Sequence, residues 1–204
     1  IVLDDTGSFS SVGPALANIF FSNVIPQLQA QFPGGDFAFG VAKFEDYDGG
    51  GGRDRPFILN QPVITDDTVN FNAAMLAALN RISPGGGASL PESDIEALYQ
   101  IATGEGFDGN LDGDTVDSGP AGLVTTQTNP GAGGDVPSYS TFTPDTANGG
   151  VAPTVPVPAT PVDGVGFRPG ARRIVLLATD AAFTLINETA TVYTGVGGVT
   201  VPAN

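Results

Sequence analysis

The chain contains no cysteine and no histidine. Zinc centres of the usual Cys/His kind, cysteine nucleophiles and Ser-His-Asp triads are thereby excluded, and any bound metal has to be held by oxygen. Missing cysteine leaves the redox compartment open, because a domain of this size does not require disulfides. Basic residues are almost as scarce. Lys43 is the single lysine among 7 Lys and Arg side chains, set against 22 Asp and Glu, for a formal net charge of -15. A nucleic-acid binder needs a basic patch that displaces counterions, and an anionic membrane surface asks for the same. Neither is an expected partner. No apolar run approaches the roughly 20 residues of a membrane span, so no membrane insertion is expected. No signal peptide is visible. What remains is an acidic surface that attracts divalent cations, on a chain long enough for one ordinary domain with a core.

Residues 1–10, Ile-Val-Leu-Asp-Asp-Thr-Gly-Ser-Phe-Ser, organise the rest. Three apolar residues run straight into Asp4, Thr6 and Ser8. A short apolar run bounded by turn residues reads as a buried parallel strand. Its end then carries one carboxylate and two hydroxyls at alternate positions, which a locally extended backbone aims at one point. Carboxylate and hydroxyl oxygens are ligands for a hard cation such as Mg2+. Shifting the frame to Asp5, Gly7 and Phe9 destroys the set. A strand followed by a helix N-cap accounts for the same residues without a metal.

Residues 12–32 read as an amphipathic helix, with Val12, Leu16, Ile19, Phe20, Val24, Leu28 and Phe32 on one side. Pro14 suits a first turn, and Pro26 is expected to kink the helix or end it early. Residues 37–47 and 57–64 read as strands joined by a glycine-rich turn, hence antiparallel neighbours. The hairpin is expected at a sheet edge, where Lys43, Glu45 and Pro56 discourage further pairing. A second helix is expected from Asp66-Asp67-Thr68, burying Val69, Leu76, Leu79 and Ile82. A third is expected from Ser89-Leu90-Pro91-Glu92, running through Ile95, Leu98, Tyr99 and Ala102 and closed by Gly104. Residues 105–170 lose all periodicity, and 151–162 are proline-rich and expected to be extended. This stretch is expected to be an insertion between regular elements, since it lacks the large apolar residues for a core of its own. Residues 174–178, Ile-Val-Leu-Leu-Ala, read as a second buried strand ending at Thr179-Asp180, and 191–193 as a short strand.

Two apolar strands separated by helices imply an α/β fold. It is expected to be a doubly wound, mostly parallel sheet with an antiparallel edge hairpin and helices on both faces. Its parts are residues 1–104, the insertion 105–170, and 171–204. Both strands end in Asp, at Asp4 and Asp180. Ligands of open α/β sheets bind beyond the carboxyl ends of the strands, so two carboxylates at that edge are what a metal site needs.

With these motifs in place the chain resembles a von Willebrand factor A domain of the bacterial and integrin-β-like variety. That family carries a metal-ion-dependent adhesion site built on Asp-x-Ser/Thr-x-Ser after the first strand, matched here by Asp4-Asp5-Thr6-Gly7-Ser8. Its second loop is matched by the Gly-rich segment 85–92 ending in Pro91-Glu92, and its third by Leu177-Ala178-Thr179-Asp180. The resemblance covers residues 1–104 and 167–185. It implies a Mg2+ or Mn2+ site formed by Asp4, Thr6, Ser8, Glu92 and Asp180. Neutral ligands leave the ion electrophilic, so that an acidic side chain of a protein partner or neighbouring subunit completes its shell. It also implies an extracellular or cell-surface location and no catalysis. Where integrin β-subunits have an acidic pair after the first motif this chain has Ser10, Ser11 and Val12, so an adjacent regulatory ion site is not expected. Ser89 stands where bacterial relatives often have Asp. Ser89 and Glu92 also match a capping box, with Ser89 as N-cap and Glu92 at N3.

Within the insertion, Asp108, Asn110, Asp112, Asp114 and Asp117 resemble a calcium loop of the EF-hand or dockerin type. Oxygen ligands at positions 1, 3 and 5 and Gly113 at position 6 suit a tight turn around Ca2+. Position 12 is Gly119, so Asp117 would replace the usual bidentate Glu. A solvated acidic turn is the alternative.

Two other functions compete with adhesion. One is a structural subunit of a surface filament that uses the fold as scaffold. The other is Mg2+-dependent phosphoryl transfer of the haloacid-dehalogenase kind, which wants an Asp where Thr6 stands and a phosphate-binding Lys. The chain is expected to be a fragment, because residue 1 already lies in a strand and residues 184–204 are too short to finish an A-type domain. The outer edge of 174–178 is accordingly expected to be covered by a continuation of the polypeptide or by a neighbouring subunit.

Overall fold

A computed structural model describes residues 1–45, 56–85, 93–108, 113, 115, 136, 138 and 165–181. Its strands are β1 (Val2–Asp4), β2 (Ala38–Phe44), β3 (Ile58–Thr65) and β4 (Leu177–Ala178). They form one sheet in the order β3-β2-β1-β4. β1 runs parallel to both neighbours, with Val2 opposite Ala42 on one side and Leu177 on the other. β2 and β3 are antiparallel, as a short connection requires. The protein is therefore α/β with a mixed, mostly parallel sheet.

The helices are α1 (Gly13–Ile19), α2 (Ile25–Gln31), α3 (Phe71–Asn80) and α4 (Asp94–Thr103). Alternation along β1 divides the core in two. Val2 packs with Ala42, Phe44, Leu59 and the α4 residues Ala97 and Ile101. Leu3 packs with Val41, Ile64, Ala17, Ile25 and the α3 residues Ala74, Met75 and Ala78. Successive strand residues face opposite sides, so Asp4 continues the Val2 side toward α4 and Asp5 the Leu3 side toward α1 and α3.

The first helix neither ends nor breaks at Pro26. It passes through a π-helical turn, Phe20–Val24, and resumes as α2 with Pro26 in the first turn. The π turn falls just before the proline, where the ring has no N–H to donate back to the preceding turn. Ala17 and Ile25 are buried, while Val12, Ile19 and Phe32 are exposed, against the expected side.

α3 begins at Phe71, later than expected. Residues 65–68 form a turn of their own, in which Thr68 N–H donates to Thr65 O. The buried side is Phe71, Ala74, Met75, Ala78 and Leu79, whereas Val69 is 82% and Leu76 42% exposed. Small alanines let this helix lie close on the sheet, and with apolar residues nearly all round it, periodicity does not select a face. α4 begins at Asp94 with Ser93 at its cap position, and the expected Ser89/Glu92 capping box lies outside the described residues. Its buried residues are Asp94, Ala97, Gln100 and Ile101, and Ile95 and Tyr99 are exposed. Buried Gln100 is held on both sides, donating to Glu96 Oε1 and Gly106 O and accepting Gly106 N–H. Gly104 closes the helix in the left-handed conformation, as expected.

Two further expectations need correction. Lys43 does not guard an edge: β2 is interior, β3 is the edge strand, and Lys43 forms ion pairs with Asp5 and Glu45. The segment 174–178 is not a buried strand throughout. Only Leu177–Ala178 is strand, and Ile174, Val175 and Leu176 are 64%, 39% and 47% exposed. Among the described residues β4 pairs with β1 alone. The short strand expected at 191–193 lies outside the described residues.

Candidate functional site

Asp4 is the last residue of β1, and the chain turns immediately after it so that its own side chain organises the loop. Asp4 Oδ1 accepts the Thr6 N–H at 2.8 Å and the Thr6 hydroxyl at 2.6 Å. Such local carboxylate-to-backbone bonds are what make Asp favourable at a turn. Thr6 Oγ1 lies 3.2 Å from Ser8 Oγ, and Ser8 Oγ donates to Asp180 Oδ1 at 3.0 Å. On the other side Thr179 Oγ1 donates to Asp4 Oδ2 at 2.7 Å. The loops that follow β1 and β4 are thus joined through side-chain oxygens, Ser8 and Asp180 being 172 positions apart in sequence. Asp4 and Thr6 are buried, and Ser8 and Asp180 are exposed, so the set opens to solvent at the Ser8/Asp180 end.

The four residues singled out on β1 and β4 therefore come together. Glu92 lies outside the described residues. So do Asn110, Asp112, Asp114 and Asp117 of the candidate calcium loop. Only its first position, Asp108, and Gly113 are described. Asp108 is buried, and its Oδ2 accepts the Gly113 N–H at 2.9 Å. Gly113 has φ +104°, a conformation glycine adopts without strain. Phe107, just before, exchanges two backbone hydrogen bonds with Val136.

Three contributors were not singled out from sequence. Thr179 is one, caught only by its bond to Asp4. The Asp5–Lys43 pair is another. Asp5 is fully buried, with Lys43 as cation and with Gly85 N–H donating to its backbone carbonyl. Burial raises the Asp5 carboxyl above the usual range, against the lowering effect of the Lys43 ammonium. The pairing of β2 with β1 places Lys43 opposite Leu3, which a sequence pattern does not reveal. The third is Asp94, fully buried at the start of α4. Burial pushes its carboxyl up to about 6; the Ile95 N–H works against this and the Asp4 charge adds to it.

The donor set fits a hard divalent cation: hydroxyls of Thr6 and Ser8, carboxylates of Asp4 and Asp180, all oxygen. Among the described residues two carboxylate oxygens, Asp5 Oδ1 and Asp94 Oδ2, are buried without a hydrogen-bond partner. Among the described residues no three Asp or Glu side chains come together closely enough to hold an ion by themselves. An ion at this edge accordingly draws on hydroxyls and bound water as well. A small cavity elsewhere, lined by Pro14, Asn18, Leu76 and Asn80 among others, has no titratable group in its wall. Among the described residues no helix is long and apolar enough to cross a membrane. No protein-family model, curated protein or solved structure matches the chain.

Proposed function

We propose that this chain is an adhesion or protein-interaction domain, extracellular or at a cell surface, that engages its partner through a divalent cation. In this proposal Asp4, Thr6, Ser8 and Asp180 hold Mg2+ or Mn2+ at the carboxyl edge of the sheet, with a second-loop carboxylate such as Glu92. The fold is that of an A-type domain, doubly wound and interrupted by the insertion 105–170. The observation that carries the proposal is the Ser8–Asp180 hydrogen bond, which joins the two strand ends through cation-ligating residue types. When bound, the ion supplies an electrophilic position for an acidic side chain of the partner. The chain's own part is to fix the ligands. Thr179 and Thr6 orient Asp4 by donating to its two oxygens, and the Thr6 N–H holds the loop closed.

Calorimetry with Mg2+ and Mn2+ on the natural sequence and on Asp4→Ala tests the site. Binding by the first and none by the second is expected, and equal binding would remove the proposal. No turnover belongs to this role. Metal-dependent hydrolysis of a generic phosphate ester, abolished by Asp4→Asn, would favour phosphoryl transfer instead. At the candidate calcium loop, Ca2+ would order the start of the insertion through Asp108, Asn110, Asp112, Asp114 and Asp117. Chelation should then increase proteolytic cutting between Phe107 and Gly122, and unchanged cutting favours a plain acidic turn.

The exposed Ile174, Val175 and Leu176 beside edge strand β4 favour a second role, a subunit of a surface filament. Unpaired apolar edges recruit further strands. Concentration-dependent assembly that persists in chelator supports that role, and a monomer at all concentrations argues against it.

A further inference from the structure

Asp94 opens α4 and is fully buried. Its Oδ1 accepts the Ile95 N–H at 2.8 Å, but Oδ2 has no hydrogen-bond partner. Buried carboxylate oxygens are costly to leave bare and are nearly always partnered. α4 packs on the Val2 side of the sheet, the side to which Asp4 belongs. Ser93, just before Asp94, donates its hydroxyl at 2.7 Å to the carbonyl of Glu45, the residue that follows Phe44, which lies opposite Asp4, so the start of α4 is fastened at the edge where Asp4 ends its strand. Among the described residues no basic side chain forms an ion pair with Asp4 or Asp94. Asp5 also has one bare oxygen, but its other oxygen is paired with Lys43. A buried carboxylate with a bare oxygen at that edge, and without a basic partner among the described residues, is available to a cation.

We infer that Asp94 is a cation ligand of the edge site, acting through a bound water beside Asp4, Thr6, Ser8 and Asp180. This rests on the cation site proposed above and adds to it a residue two positions beyond Glu92. Being the first residue of a helix, Asp94 sits on rigid backbone, so its oxygen needs little reordering to reach an ion. A third carboxylate strengthens retention of the ion and tempers its pull on an acidic partner group.

The test is titration of the whole chain with Mn2+, for the natural sequence, Asp94→Asn, Asp4→Asn and Glu92→Gln, with thermal melts in chelator and in excess Mn2+. Asp94→Asn keeps the acceptor for Ile95 N–H and removes the charge. It should weaken Mn2+ binding by about tenfold or more. In chelator it should melt above the natural sequence, because the bare charge is gone, and excess Mn2+ should cancel or reverse that advantage. Asp94→Ser, which suits a helix start, should show the same loss of affinity and covers the case in which the Asn variant folds poorly. Natural Mn2+ affinity in the Asp94 variants together with no binding by Asp4→Asn overturns the inference and leaves the cation site standing. So does a loss confined to Glu92→Gln. Undiminished binding by Asp4→Asn overturns both.

Discussion

Asp4 and Asp5 are adjacent in sequence and both fully buried, yet they lie on opposite sides of the sheet and in opposite electrostatic situations. Asp5 has an internal cation in Lys43, itself shared with Glu45 at 3.7 Å. Among the described residues Asp4 has hydroxyl donors and one backbone N–H, all neutral. The Asp5 side is closed, with Lys43 as its cation. The Asp4 side opens to solvent at Ser8 and Asp180. A buried acid that the fold neutralises is part of the structure, whereas one left short of positive charge is receptive to an outside cation.

The largest effect should come from breaking the closed side. Lys43→Met leaves Asp5 buried without its cation and should cost about 3–5 kcal/mol of stability, measured by urea denaturation. Adding Asp5→Asn should recover most of that, since replacing both members of a buried pair is often neutral. Retained stability in Lys43→Met would show that Asp5 does not need its ammonium, and the contrast with Asp4 would collapse. Next in size is Thr179→Val on the open side. It removes a donor to buried Asp4 and should cost about 1.5–3 kcal/mol in chelator, with part of the loss restored by Mn2+. A loss indifferent to Mn2+ would make Thr179 a plain structural contact. Smallest is Ser8→Ala. Ser8 and its partner Asp180 are exposed, so the stability change should stay within about 0.5 kcal/mol while Mn2+ affinity falls. Unchanged affinity would remove Ser8 from the ligand set.

Much of the sheet was legible in the chain, for physical reasons that differ by element. The apolar run before Asp4 and the hairpin strands are short and local, and their patterns carry over directly. β1 appears at Val2–Asp4 and the antiparallel pair at Ala38–Phe44 and Ile58–Thr65. Asp4, Thr6, Ser8 and Asp180 were legible as a group because parallel strands bring their carboxyl ends to one edge. Helix faces were not. In α4 the apolar Ile95 and Tyr99 are exposed, and the polar Asp94 and Gln100 are inside. Apolar periodicity assumes that buried means apolar, and these two residues make polar contacts of their own: Gln100 ties down Gly106, and Asp94 accepts the Ile95 N–H.

By itself, then, the sequence determined the oxygen-only chemistry of any metal, through the lack of Cys and His, and the approximate bounds of β1, β2 and β3 along the chain. It also determined which residues leave the strands as ligand types. Tertiary structure alone decided that Lys43 neutralises Asp5 rather than guarding an edge, that Thr179 bonds to Asp4, and that Asp94 is buried at the start of its helix. The first two are pairings between residues 38 and 175 positions apart. All three depend on strand order or on how a helix is rotated against the sheet, and no local pattern encodes either.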